Sequence, residues 1–188
     1  MDWQIVEGIG KVALNEFSPK ELALATGLTT DLQRVWRRRG HLPERHEGYA
    51  SFDSVDVASI FVRYELSKKG MAPGDTAHVG EAIARAVLYF ALLADDSVAS
   101  YRGGFEHLAA IGARFHRNDE LAQRISNVCQ RERYIWSVEF PTIQLAHDIA
   151  DLVSEEKYRA MLYLDLVVIG RDLAEASPKP LFLIDLKS

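Results

Sequence analysis

At 188 residues, 48% hydrophobic and 26% charged, the chain has the composition of a globular protein, and it is neither low-complexity nor collagen-like. Its one cysteine, Cys129, excludes an internal disulfide framework and a thiol pair for metal or redox chemistry. The net charge of −5 argues against a protein that coats nucleic acid with its whole surface, but the charge is uneven: from residue 71 onward 17 acids face 12 bases, whereas residues 31–46 hold five arginines against Asp31 and Glu44.

The start, MDWQIVEGIG, lacks a basic region followed by an apolar one and does not read as a signal peptide. No apolar run is expected to reach the length of a membrane span, so the expectation is a cytoplasmic protein with no membrane partner. Within residues 1–16, Ile5, Ile9 and Val12 have helical spacing, but Gly8 and Gly10 weaken it. A short helix and an extended arm both fit.

A complete helix start follows. Ser18 sits at the N-cap, Pro19 at the first helical position and Glu21 three residues after the serine, which is a capping box. Phe17 and Leu22 are placed to form a hydrophobic staple, and Gly27 stops the helix. Thr29 or Thr30 can cap a second helix, with Asp31 in its first turn. In that helix Leu32, Val35 and Trp36 form the expected buried stripe, and Gly40 ends it. At about 100° per residue, Thr30, Gln33, Arg34 and Arg37 fall on the opposite side, with Arg38 flanking it; Arg39 is nearer the buried stripe but, being terminal, can turn outward. Two short helices around a glycine turn, the second with an Arg/Gln face, describe a helix-turn-helix. Gln and Arg are the side chains that read adenine and guanine edges bidentately. Arginines late in a helix also complement its dipole, so charge alone does not decide.

Leu32, Arg34, Trp36, Gly40, Leu42 and Pro43, then Gly48-Tyr49 and Phe52, then a helix closed by Gly70, resemble the winged-helix DNA-binding domain of the MerR family. The resemblance covers residues 17–93 and implies a β-hairpin wing bounded by Leu42-Pro43 and Gly48-Tyr49. The chain departs at Ala50, where the family usually carries an arginine that contacts DNA backbone. Arg45, His46 and Tyr49 are the available substitutes. In the family the arginine matching Arg34 often contacts backbone too.

Asp53 to Lys69 reads as a helix capped by Asp53, with Val57, Ile60, Phe61 and Tyr64 buried and Gly70 closing it. Asp75 to Leu93 is the next helix. Val79, Ile83, Ala86, Phe90 and Leu93 are spaced 4, 3, 4 and 3, a short heptad seam, with Leu88, Tyr89 and Leu92 as a second apolar flank. Core packing and a homodimer contact both account for the seam; the expectation is a dimer through it and the C-terminal half. Asp95 to Gly104 is polar and glycine-ended and reads as a domain boundary. Two helices, 105–117 and 118–131, should follow, then strands at 134–140 and 158–164. Residues 143–153 fit either state. A helix capped by Asp165 should run to Ala176, and Leu181 to Leu186 a last strand.

The expected fold is mainly α with a small β component: a winged helix-turn-helix domain with its following helix over 1–94, and an α+β domain over 105–188 that dimerises, senses an effector or binds a partner. His107, His116, Cys129 and His147 lack metal-ligand spacing, and Asp95-Asp96 and Glu155-Glu156 are adjacent acids without catalytic geometry. No phosphate-binding, nucleophile-elbow or zinc-protease motif is present, so neither an enzyme nor a cofactor is expected. The function expected is a sequence-specific regulator of transcription on double-stranded DNA, with RNA polymerase or another protein as a candidate partner of the C-terminal half. The rivals are a DNA-packaging or excision factor using the same motif, and an antitoxin or adaptor that works through its C-terminal half.

Overall fold

The computed structural model describes residues 3–7, 9–42, 51–94, 98–103, 118–126, 133–137, 144–148, 150 and 162–186. They form six helices and three small sheets, a mixed fold in which helices dominate.

The chain begins with a hairpin, β1 (Gln4–Val6) and β2 (Gly10–Leu14), so the first residues are extended and not helical. Gly10 makes this possible. Its φ is 129°, and a Cβ there would meet the Asp185 carbonyl at 2.2 Å. A short strand, β3 (Glu16–Phe17), leads into α1 (Pro19–Thr26). After a turn comes α2 (Thr30–Arg38). Strand β4 (Phe52–Asp53) pairs antiparallel with β3 and opens α3 (Ser54–Lys68). Asp53 caps α3 as expected, in a reciprocal box with Asp56.

Helix α4 (Ala77–Ala94) packs on α3, on α5 (Asn118–Ser126) and on α6 (Leu166–Ala176). Two glycines set the close approaches. A Cβ at Gly80 would lie 2.8 Å from the Ser59 carbonyl of α3, and one at Gly170 would lie 2.7 Å from the Ala91 nitrogen of α4. The heptad seam is therefore covered within the chain. Val79, Ile83 and Phe90 are buried, and Ala86 and Leu93 are half-buried against the same core. Packing against neighbouring helices of the same chain thus accounts for the seam without calling on a second copy. Helix α4 also passes the length and composition test for a membrane span, with a mean hydropathy of 1.4 over 18 residues. That corrects the expectation that no run is long and apolar enough, although its packing is that of a core helix.

The expected boundary at 95–104 contains β5 (Ala99–Arg102). This strand runs parallel to β9 (Phe182–Asp185), which lies between it and β2 in a sheet ordered β1-β2-β9-β5. Strands from both ends of the chain thus share one sheet, and one apolar cluster runs from Ile9 to Leu186. Among the described residues that cluster draws on both 1–94 and 105–188. A third sheet, ordered β7-β6-β8, joins β6 (Tyr134–Ser137), β7 (Gln144–Ala146) and β8 (Leu162–Asp165). Asp165 caps α6 through the Val167 amide, as its position predicts. The expected helix at 105–117 and parts of the other expected elements lie outside the described residues.

Candidate nucleic-acid interface

Helix α1 begins as the capping box dictates. The Ser18 hydroxyl accepts from the Glu21 amide at 3.3 Å, and Glu21 accepts from the Ser18 amide at 2.8 Å. Phe17 and Leu22 are fully buried, which fits the staple. Gly27 ends the helix with φ 75°, and its amide donates to the Ala23 carbonyl. Thr29 then caps α2 by accepting from the Leu32 amide.

Helix α2 is anchored by two side chains. Trp36 is buried, meets Tyr64 of α3 edge-on at 6.3 Å and lies under the Arg63 guanidinium at 5.5 Å. Gln33 is the second anchor, and it corrects the sequence reading. It is 1% exposed, and its Nε2 donates to the carbonyls of Pro19 and Leu28, both at 2.9 Å. Pro19 opens α1 and Leu28 lies in the turn, so the amide ties both helices together. Gln33 is not on the exposed face and does not read bases there. Leu32 and Val35 are only half-buried, so the centre of the buried arc lies between Trp36 and Gln33.

Arg63 was not singled out from the sequence. It is buried on α3, and its Nη2 donates to the His41 carbonyl at 2.7 Å and the Pro73 carbonyl at 3.2 Å. It therefore fixes the chain just after α2. Burial lowers the pKa of this guanidinium, and Glu81 opposes that shift. The available signal is a lone base between the apolar run Ile60-Phe61-Val62 and Tyr64.

What α2 presents outward is a row at spacing i, i+4, i+7 and i+8: Thr30, Arg34, Arg37 and Arg38. Thr30, Arg34 and Arg38 are exposed and Arg37 is half-buried. Arg39 is exposed at the helix end. Asp31, Arg34, Val35, Arg37 and Arg38 line one surface concavity. Arg34 pairs with Asp31 at 2.7 Å, and both side chains are exposed, so the pair is weak and can be exchanged for another anion. Arg45, His46 and Tyr49, with the expected wing, lie outside the described residues.

Among the described residues no group of three or more His, Cys, Asp or Glu side chains is placed to hold a metal ion. His107, His116 and Cys129 lie outside those residues. No known protein family, curated protein or solved structure matches the chain.

Proposed function

We propose that the chain is a sequence-specific, double-stranded DNA-binding regulator of transcription, acting in the cytoplasm through a MerR-like winged helix-turn-helix. The observation that carries this reading is the arginine row on α2. A helix held from behind by Trp36, Gln33 and Arg63 offers Thr30, Arg34, Arg37 and Arg38 on one face. Rigid anchoring lowers the entropy lost when those side chains meet a groove. The guanidinium forks suit guanine edges and phosphates, and the helix fits the width of a major groove. The acidic remainder of the chain limits adhesion to arbitrary DNA.

Chromatin immunoprecipitation with sequencing tests this reading. Enrichment at a small set of promoters supports it. Enrichment at recombination or packaging sites favours the architectural rival, and a flat profile together with a stable protein complex favours the adaptor.

A further inference from the structure

A cavity of about 620 Å³ lies where the end of α3 meets β8 and α6. Its volume is within the range of small-molecule pockets. Phe61 and Leu66 of α3 and Tyr134 of β6 line it and are buried. Met71, Leu164 and Ile169 line it and are half-buried. Tyr163 of β8 and Val168 of α6 line it as well, and they are 51% and 37% exposed. Of the five large apolar side chains left exposed among the described residues, two therefore meet at this cavity from different elements. Exposed apolar surface that converges on a concavity marks a binding site, whereas apolar side chains scattered singly do not.

The charges on the lining are matched except at one point. Glu65, Asp165 and Asp172 each have a cation of their own: Glu65 pairs with Lys68, Asp165 with Arg133 at 2.6 Å, and Asp172 with Arg171 at 3.0 Å. Lys69 lines the cavity too. It is exposed, and among the described residues no hydrogen bond or ion pair engages its ammonium. The end of α3 is closed by backbone instead: the amides of Lys69 and Met71 donate to the Leu66 carbonyl, and that of Gly70 donates to the Ser67 carbonyl. The uncommitted charge beside the apolar lining is therefore positive.

We propose that this cavity binds an amphipathic monocarboxylate, an aliphatic or aromatic acid, with its apolar body against Phe61, Leu66 and Tyr134 and its carboxylate against Lys69. A wholly apolar molecule would leave the ammonium unused. An amphipathic cation would meet Lys69 as a like charge, while the three acids already hold partners. The site also has a route to the arginine helix. Met71 stands just before Pro73, whose carbonyl shares the Arg63 guanidinium with the carbonyl of His41, just after α2. An occupant that moves Met71 therefore acts on α2 through Arg63. That consequence for DNA rests on the regulator reading, whereas the binding site does not.

Equilibrium dialysis of the full chain against hexanoate, octanoate, decanoate and dodecanoate, each below its micelle concentration, tests the site. Affinity should rise about fourfold per added methylene, as burial of one CH₂ implies, and level off once the cavity is filled, at one molecule per chain. The alcohol of the same length should bind at least about threefold more weakly, and the alkyltrimethylammonium more weakly still. Lys69→Gln should erase the preference for carboxylate over alcohol and leave the alcohol's affinity as it was. Val168→Glu, at an exposed position, should melt near the parent and weaken acid and alcohol alike by about tenfold or more. No binding up to about 1 mM overturns the proposal. So does tighter binding of the cation, an alcohol that ignores Val168→Glu, or a carboxylate preference that survives in Lys69→Gln. DNA binding is measured separately by anisotropy, so a chain that binds decanoate and no DNA sustains the site while the regulator reading falls.

Discussion

The ammonium of Lys179 lies 2.9 Å from the Glu21 carboxylate and 4.7 Å from the centre of the Phe17 ring. The residues just before β9 are thus seated on the capping box that starts α1. Neighbouring bonds continue the junction: the Asn15 side chain donates to the Pro180 carbonyl at 2.8 Å, and the Ser54 hydroxyl donates to the Leu181 carbonyl. The segment that leads into β9 therefore touches the starts of both α1 and α3.

This junction has a pH signature. The Ser18 amide hydrogen bond first, and the Lys179 contact next, hold Glu21 at about 2, well below its ordinary 4.5. A carboxyl whose pKa is lower in the folded state contributes stability above the unfolded pKa and loses it as pH falls through the folded one. Glu21→Gln keeps an acceptor for the Ser18 amide and removes the charge. It should cost roughly 0.2–1 kcal/mol at pH 7, the range of a partly exposed ion pair. Denaturant titrations of parent and variant should converge as pH falls from 4.5 towards 2. A gap that persists unchanged at the acid end would contradict the assignment.

Gln33 separates structure from recognition. Replacing it by Ala removes the donor that serves the Pro19 and Leu28 carbonyls and opens a small cavity beside Trp36. The expected loss is about 1–3 kcal/mol of stability, the cost of leaving buried polar groups unpaired. At a temperature where the variant is fully folded, its preference among duplexes should match the parent's. A change in base preference at one position, with unchanged stability, would restore Gln33 as a reader.

Gly170 tests the packing of α4. A methyl group there meets the Ala91 nitrogen and the Phe90 Cβ, each at 2.7 Å, and these lie on a helix that cannot retreat easily. Alanine favours a helix by about 1 kcal/mol over glycine, so the intrinsic term is stabilising. Overpacking costs about 1–3 kcal/mol, and it should win here. Thermal denaturation of Gly170→Ala should show a net loss of stability. A net gain would mean that α4 and α6 do not approach as closely as described.

How legible the fold was in the sequence depends on how local each signal is. Ser18, Glu21 and Gly27 predict the bounds of α1 because caps act within one turn, and Asp53 and Asp165 do the same for α3 and α6. The four-stranded sheet was hidden, because β2 and β9 pair across almost the whole chain and a strand carries no mark of its partner. Residues 99–102 read as linker because Ser, Tyr and Arg form a strand only through β9. The heptad spacing of α4 was real, but spacing states only that a face is covered, not by which chain. Gln33 was misread because polarity suggests exposure, and its burial depends on two carbonyls 5 and 14 residues away.

The arginine row should divide into two kinds of contact. On the regulator reading, Thr30 and Arg34 lie in the first half of α2, the part of a second helix that reaches base edges, and Arg37, in the last turn, keeps to their face, whereas Arg38 in the same turn and Arg39 at the helix end flank that face and suit backbone contacts. A guanidinium that forks onto a guanine contributes about 1–3 kcal/mol of discrimination at one position. One that meets a phosphate contributes alike to every sequence and releases counterions. Arg37→Ala should therefore weaken the preferred duplex by about 1–3 kcal/mol and relax preference at a single base pair. Arg38→Ala should weaken preferred and scrambled duplexes equally, and lower the slope of log affinity against log salt by about 1. Arg38 is exposed, and its replacement should leave the melting temperature near the parent's. Anisotropy titrations at several salt concentrations, on a duplex recovered by binding-site selection and on its scrambled form, read both effects. Two folded variants that bind both duplexes as the parent does would show that α2 is not the reading helix, and the regulator reading would fall with it.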